Sequence, residues 1–245
     1  MTRWPYPRFI AHRGGGTLAP ENTLAGLRLA PRYGYRAVEF DVMLSADGTP
    51  FLIHDETLER TTDGAGAVAD TPDRILRALD AGSWYGEIFS GECIPTLDEA
   101  MRLCLELGLW ANIEIKPARG RETETGATVG RLVLASCRRS SLPPPLLSAF
   151  SVAALDAARR VAPELPRGLL MDELTPHWRE SAAALGCLSV HCNASRIHAS
   201  GIAAVREAGY GLACYTVNDP ADADRLIAAG VDAVFTDRLD RIPAR

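Results

Sequence analysis

His12-Arg13-Gly14 closes the short apolar run Arg8-Phe9-Ile10-Ala11, and Glu39-x-Asp41, His54-Asp55 and Glu114-x-Lys116 each stand at the downstream end of a similar run. Side chains two apart on a β-strand point to the same side, so Glu39 and Asp41 form one carboxylate pair, and Glu114 and Lys116 share a face. Two histidines, three carboxylates and a lysine at strand ends describe a metal-assisted phosphoryl site. Glu39, Asp41 and Glu114 offer only oxygen ligands, which hard cations such as Mg2+ or Ca2+ select over nitrogen or sulfur. Gathered without a cation, they would repel one another and raise their pKa values. A lone glutamate on a strand is more often an exposed residue or an ion-pair partner. Collection at neighbouring strand ends reverses that reading.

His12 and His54 come from separate segments, which suits a general acid and a general base on opposite sides of a scissile bond, each contributing about 10²- to 10⁴-fold. His177, His191 and His198 have no comparable setting and read as structural. Arg13 and Lys116 can neutralise a phosphate; they can equally pair with the carboxylates, and the two roles are compatible. Glu21-Asn22-Thr23 can cap the first helix, with Asn22 also hydrogen-bonding the site. Asp55 and Arg60 read as organising the local chain, because adjacent strand residues His54 and Asp55 should face opposite ways.

Those side chains need a scaffold. Apolar runs of strand length at 8–12, 37–42, 110–115, 146–150, 167–171, 187–192, 211–216 and 232–236 alternate with helical stretches, the pattern of βαβ units around a parallel sheet. Thr96 and Asp219-Pro220 can open helices, while Gly108, Gly209 and Gly230 can close them. A doubly wound sheet would also alternate, but Gly14-Gly15-Gly16 lacks the G-x-G-x-x-G spacing. Chemistry distributed over many strand ends, with Ser148, Thr216, Asn218 and Asp237 after later strands, predicts an α/β fold of the TIM (β/α)8 barrel type. From about 45 to 95 the rhythm breaks: a second strand-like run, Pro50-Phe51-Leu52-Ile53-His54, precedes turn-rich sequence and Trp84-Tyr85. This predicts a small insertion between the second strand and its helix, capping the barrel mouth and placing Trp84 and Tyr85 there.

At 245 residues the chain fits one such barrel domain, and 47% hydrophobic with 23% charged residues is ordinary for a globular protein with a sizeable core. A net charge of -5 without a basic stripe argues against nucleic acid as a partner. No run approaches the roughly 20 apolar residues of a membrane span, and Met1-Thr2-Arg3-Trp4-Pro5-Tyr6-Pro7 lacks a signal peptide's apolar core, so a cytoplasmic location without stable membrane insertion is expected. The six cysteines form no CxxC pair and read as reduced core thiols. Oligomeric state is not readable from these features.

In order along the chain, His12-Arg13-Gly14, Glu21-Asn22-Thr23, Val38-Glu39-Phe40-Asp41-Val42, His54-Asp55, Arg60-Thr61-Thr62, Ile94-Pro95-Thr96-Leu97, Glu114-Ile115-Lys116, Ser148-Ala149-Phe150, Thr216-Val217-Asn218 and Thr236-Asp237 closely resemble the glycerophosphodiester phosphodiesterase family. The resemblance implies a TIM barrel with an insertion after the second strand, a divalent cation on Glu39, Asp41 and Glu114, and His12 and His54 as the acid-base pair. It implies hydrolysis of a small glycerophosphodiester to glycerol 3-phosphate and an alcohol; with no serine, cysteine or threonine paired with a base, the nucleophile is either a metal-activated water or the substrate's own 2-hydroxyl, and the resemblance favours the hydroxyl. Tyr215 stands where the family commonly has tryptophan, which makes it a candidate substrate-binding residue on the apolar wall that meets the alcohol. The rival readings are a lysophospholipase D-like phosphodiesterase and a non-catalytic barrel that binds phosphorylated metabolites.

Overall fold

In the structure, a computed structural model describing residues 4–137 and 142–244, a closed barrel of eight parallel strands alternates with helices. The first three residues of the N-terminal stretch considered above lie outside the described residues. The barrel strands are β1 (Phe9–Ala11), β2 (Ala37–Leu44), β4 (Trp110–Ile115), β5 (Leu146–Ala149), β6 (Arg167–Met171), β7 (Ser189–Asn193), β8 (Gly211–Tyr215) and β9 (Ala233–Thr236). They match the eight predicted runs. β1 pairs in parallel with both β2 and β9, so the first strand closes the ring against the last.

Caps foreseen from sequence delimit the helices. Thr96 opens α3 (Leu97–Leu107) through a reciprocal capping box with Glu99, and Gly108 closes it in the left-handed conformation. Asp219 accepts from the Ala221 and Asp222 amides at the start of α8 (Pro220–Ala229), where Pro220 occupies the first turn, and Gly230 ends that helix. α1 (Leu24–Leu29) is capped by Thr23, not Asn22. α4 (Glu122–Cys137), α5 (Val152–Val161), α6 (Trp178–Ala184) and α7 (Ala199–Ala208) complete the outer ring.

Alternation along the strands divides the apolar residues into two layers. Val38, Phe40, Val42, Ile113, Ile115, Leu147 and Val190 face outward into the main core beneath the helices. Ile10, Ala37, Trp110, Leu146, Ala213, Ala233 and Phe235 point inward, and Trp4 joins them to plug the barrel floor. Tyr6 stacks on Trp110 there with ring centroids 4.1 Å apart.

The insertion after the second strand has its own small core. β2 runs on to Leu44, turns, and returns antiparallel as β3 (Pro50–Leu52), with Val42 opposite Leu52. A short helix α2 (Asp73–Leu76) and irregular segments then lead back to Thr96. Met43, Phe51, Ile53, Leu58, Val68, Leu76, Ala81 and Ile94 pack together beneath them. β3 ends before Ile53, so His54 and Asp55 lie in a bend and the expectation that they face opposite ways does not hold.

Candidate active site

Strand register assembles the acidic cluster. Asp41 on β2 lies opposite Glu114 on β4, Glu39 lies one pleat deeper opposite Asn112, and oxygens of Glu39, Asp41 and Glu114 come within 4.8 Å of one another. Glu39 and Asp41 are buried, and burial followed by the neighbouring Asp41 charge pushes Glu39 up to about 7 and Glu114 up to about 8. Glu39 Oε2 accepts from the Arg13 amide at 3.0 Å, while Oε1 is buried with no protein partner. Three close carboxylates with an unclaimed buried oxygen fit a hard cation.

His12 follows β1, and its amide donates to Thr236, continuing the pairing with β9. That pairing sets Asp237 beside the imidazole, where Nδ1 donates to Asp237 Oδ1 at 2.7 Å and Nε2 faces Glu39 Oε2 at 3.7 Å. A carboxylate only accepts, so the free ring nitrogen is Nε2. Burial opposes charge on His12, but the Asp237 hydrogen bond and the Glu39 field outweigh it and raise its pKa. The loop is tight. Arg13 has φ 50°, and a side chain at Gly16 (φ 56°) would come 2.2 Å from the Asp237 carbonyl oxygen.

The β2–β3 hairpin carries His54 back to the barrel mouth. Its Nδ1 donates to Asp55 Oδ1 at 2.6 Å, and its Nε2 accepts from Lys116 Nζ at 3.2 Å. Burial, with the Arg13 and Lys116 charges, outweighs the nearby carboxylates and lowers its pKa. Lys116 Nζ is also 3.5 Å from Glu114 Oε1 and 4.0 Å from Asp41 Oδ1. Arg13 Nε lies 3.6 Å from Asp41 Oδ2. Glu21 accepts from Arg13 at 2.7 Å and takes two hydrogen bonds from Arg60, which also binds Asp55. This chain of ion pairs ties the insertion to the loop after β1.

A cavity of about 200 Å³ joins His12, His54, Arg13, Lys116, the three carboxylates and Tyr215. Two expectations change. Asn22 lies behind Asp41, donating to Oδ2 at 2.9 Å and accepting from the Asp41 amide at 3.0 Å; it positions that carboxylate and does not line this cavity. Trp84 and Tyr85 do not line this cavity: the Trp84 indole donates to Ala81, and the Tyr85 hydroxyl donates to Thr17 at 2.7 Å. The thiol reading also shifts in one place, since Cys93 is exposed on the insertion while all six cysteines are free. Tyr215 donates to the Met171 carbonyl and packs edge-to-face with exposed Phe150 at the rim.

Sequence reasoning left two groups without a role. Asp237 and Asn218, noted only as polar residues after late strands, form one unit in which Asn218 donates to Asp237 Oδ2 at 3.0 Å and Asp237 holds His12. Barrel closure was the signal, since it makes the residues after the first and last strands neighbours. His191, read as structural, lines the cavity floor.

A (β/α)8 barrel with an acidic cluster and two carboxylate-anchored histidines gathered at its mouth defines a TIM-barrel enzyme able to hold a cation. Residues 12–241 match the Glycerophosphoryl diester phosphodiesterase family. The chain is 36% identical to a glycerophosphodiester phosphodiesterase of Caldanaerobacter subterraneus subsp. tengcongensis over 229 residues, 93% of each chain. It is similar in structure to an Oleispira antarctica phosphodiesterase solved with the product sn-glycerol-3-phosphate, at TM-score 0.89 and 40% identity over 94% of this chain and 93% of that one. A glycerophosphodiester phosphodiesterase from Agrobacterium tumefaciens matches at TM-score 0.78 and 29% identity, over 96% and 98% of the two chains. The chain belongs to the glycerophosphoryl diester phosphodiesterase family and is an enzyme with that family's phosphodiesterase activity. Among the described residues, no helix is long and apolar enough to cross a membrane.

Proposed function

We propose that the chain hydrolyses small glycerophosphodiesters to glycerol 3-phosphate and an alcohol, with Glu39, Asp41 and Glu114 holding a divalent cation, Mg2+ or Ca2+, and His12 and His54 transferring protons. The observation that carries this reading is the convergence of the three carboxylates beside two histidines whose Nδ1 atoms are each anchored on a carboxylate. When bound, the cation supplies Lewis-acid stabilisation of the phosphoryl oxygens. Arg13 and Lys116 add positive charge where the transition state gathers negative charge.

His54, held neutral with its Nε2 lone pair toward Lys116, acts first as the base and takes the proton of the substrate's 2-hydroxyl. The hydroxyl oxygen attacks phosphorus, the bond to the alcohol oxygen breaks, and His12 protonates the departing alcohol. Roles then exchange: His12 deprotonates a water that opens the cyclic phosphate, and His54 returns a proton to the 2-oxygen. A tethered hydroxyl gains effective molarities that reach about 10⁵ M or more, which favours it over direct attack by water. An analogue lacking only the 2-hydroxyl should bind yet turn over very slowly. Hydrolysis near the natural rate would reject the cyclic route in favour of water attack.

A further inference from the structure

Buried polar atoms are almost always hydrogen-bonded, so exceptions that share a surface point to a missing partner. Among the described residues, the four buried side-chain atoms without one belong to Arg13, Glu39, Asn112 and His191, and all four residues line the same cavity. Arg13 Nε faces Asp41 at 3.6 Å, and Glu39 belongs to the acidic cluster. Asn112 Oδ1 and His191 Nδ1 remain.

Both lie below the charged mouth. Asn112 sits one pleat beneath Glu114 on β4, and His191 one pleat beneath Asn193 on β7, a step of roughly 7 Å along a strand. Each has its other polar atom committed: Asn112 Nδ2 donates to Ser148 Oγ at 2.9 Å, and His191 Nε2 is 2.9 Å from the Ser189 hydroxyl. Space is reserved for the imidazole, since a side chain at Gly168 would come 2.7 Å from His191 Nε2. Below, Trp4 and Phe235 pack on the same ring, with centroids 6.0 Å and 5.4 Å away. The floor is therefore sealed, uncharged and equipped with two open hydrogen-bonding atoms.

Such a floor rejects a phosphate and fits a small polyol. If Ser189 donates to His191 Nε2, then Nδ1 carries the proton and donates; Asn112 Oδ1 accepts. A hydroxyl has the matching chemistry, since it can accept from the histidine N–H and donate to the amide oxygen. We propose that the glyceryl arm of the substrate enters the barrel first and that its terminal hydroxyl, the one farthest from phosphorus, is bound by Asn112 and His191. The alcohol arm then stays at the mouth, where an open groove of about 350 Å³ continues past Glu114, Lys116 and Phe150. This inference rests on the proposed reaction and adds the two residues that read the terminal hydroxyl.

The test is calorimetric titration of the wild-type enzyme, in the divalent cation that sustains turnover, with glycerol 3-phosphate and with 1,2-propanediol 1-phosphate, which lacks only the terminal hydroxyl. Leaving two buried polar atoms unpaired should weaken the second ligand about tenfold or more. His191→Leu and Asn112→Leu should each shrink that ratio to about threefold or less while leaving the affinity for inorganic phosphate unchanged. Equal binding of the two ligands by the wild type, or the full ratio retained in both folded variants, would overturn the inference. An enzyme that turns over glycerophosphocholine without discriminating loses only this inference. One that neither turns it over nor binds glycerol 3-phosphate loses the proposed reaction as well.

Discussion

His12 and His54 have the same anchoring and opposite surroundings. Asp237 and Glu39 favour the charged form of His12, whereas burial and two cations favour the neutral form of His54. His12→Ala and His54→Ala should each lower kcat by about 10² or more with the fold intact, as expected of groups that move protons in the transition state. A folded variant with near wild-type kcat would return that histidine to a structural role. Asp237→Asn is expected to lower kcat by about tenfold or more while KM changes little, because the amide orients His12 poorly and no longer supports its charge. Residue types at the ends of apolar runs made the acidic cluster and the two histidines beside it readable from sequence. Asp237 and the second contacts of Asn22 were not, since they depend on which strands become neighbours and on a loop conformation with Asn22 at φ 56°.

At the level of elements, apolar runs of strand length and capping signals located every barrel strand, because a strand covered on both faces is apolar along most of its length. The insertion was legible as an interruption, but its interior was not. Its fold depends on β3 pairing back onto β2 and on ion pairs between segments far apart in sequence, neither of which leaves a periodic trace. That explains why Trp84 and Tyr85 were misplaced: aromatic residues in a loop mark packing as readily as a binding wall. Two substitutions separate the insertion's roles. Leu76→Ala, in its fully buried core, should cost about 2–5 kcal/mol of stability in denaturant unfolding. Arg60→Ala should do the reverse, lowering kcat several-fold with a change in stability of about 1 kcal/mol or less, because it frees Asp55 and Glu21 on a half-exposed surface. Equal loss of activity and stability in Arg60→Ala would show that the pairs hold the fold and do not align His54.

For the whole molecule, the concentration of like charge at the barrel mouth links folding to cation binding. In the cation-free protein Glu39 and Glu114 hold protons up to about 7 and about 8, whereas in the unfolded chain they lose them near the ordinary glutamate value. Between roughly pH 4.5 and 8 the native state thus binds more protons than the unfolded state, and stability falls as pH rises through that window. The melting temperature of cation-free protein should drop by on the order of 5 °C or more from pH 5.5 to 8, and added Mg2+ or Ca2+ should flatten the decline. A melting temperature independent of pH and of both cations would contradict the acidic cluster as a cation site. The most direct measurement is turnover of glycerophosphocholine by rigorously metal-stripped enzyme in EDTA, before and after a divalent cation is restored in excess. Loss of activity by about 10² or more, regained with the cation in wild type but not in Glu114→Gln, is the predicted result. Full activity in EDTA after stripping would contradict it.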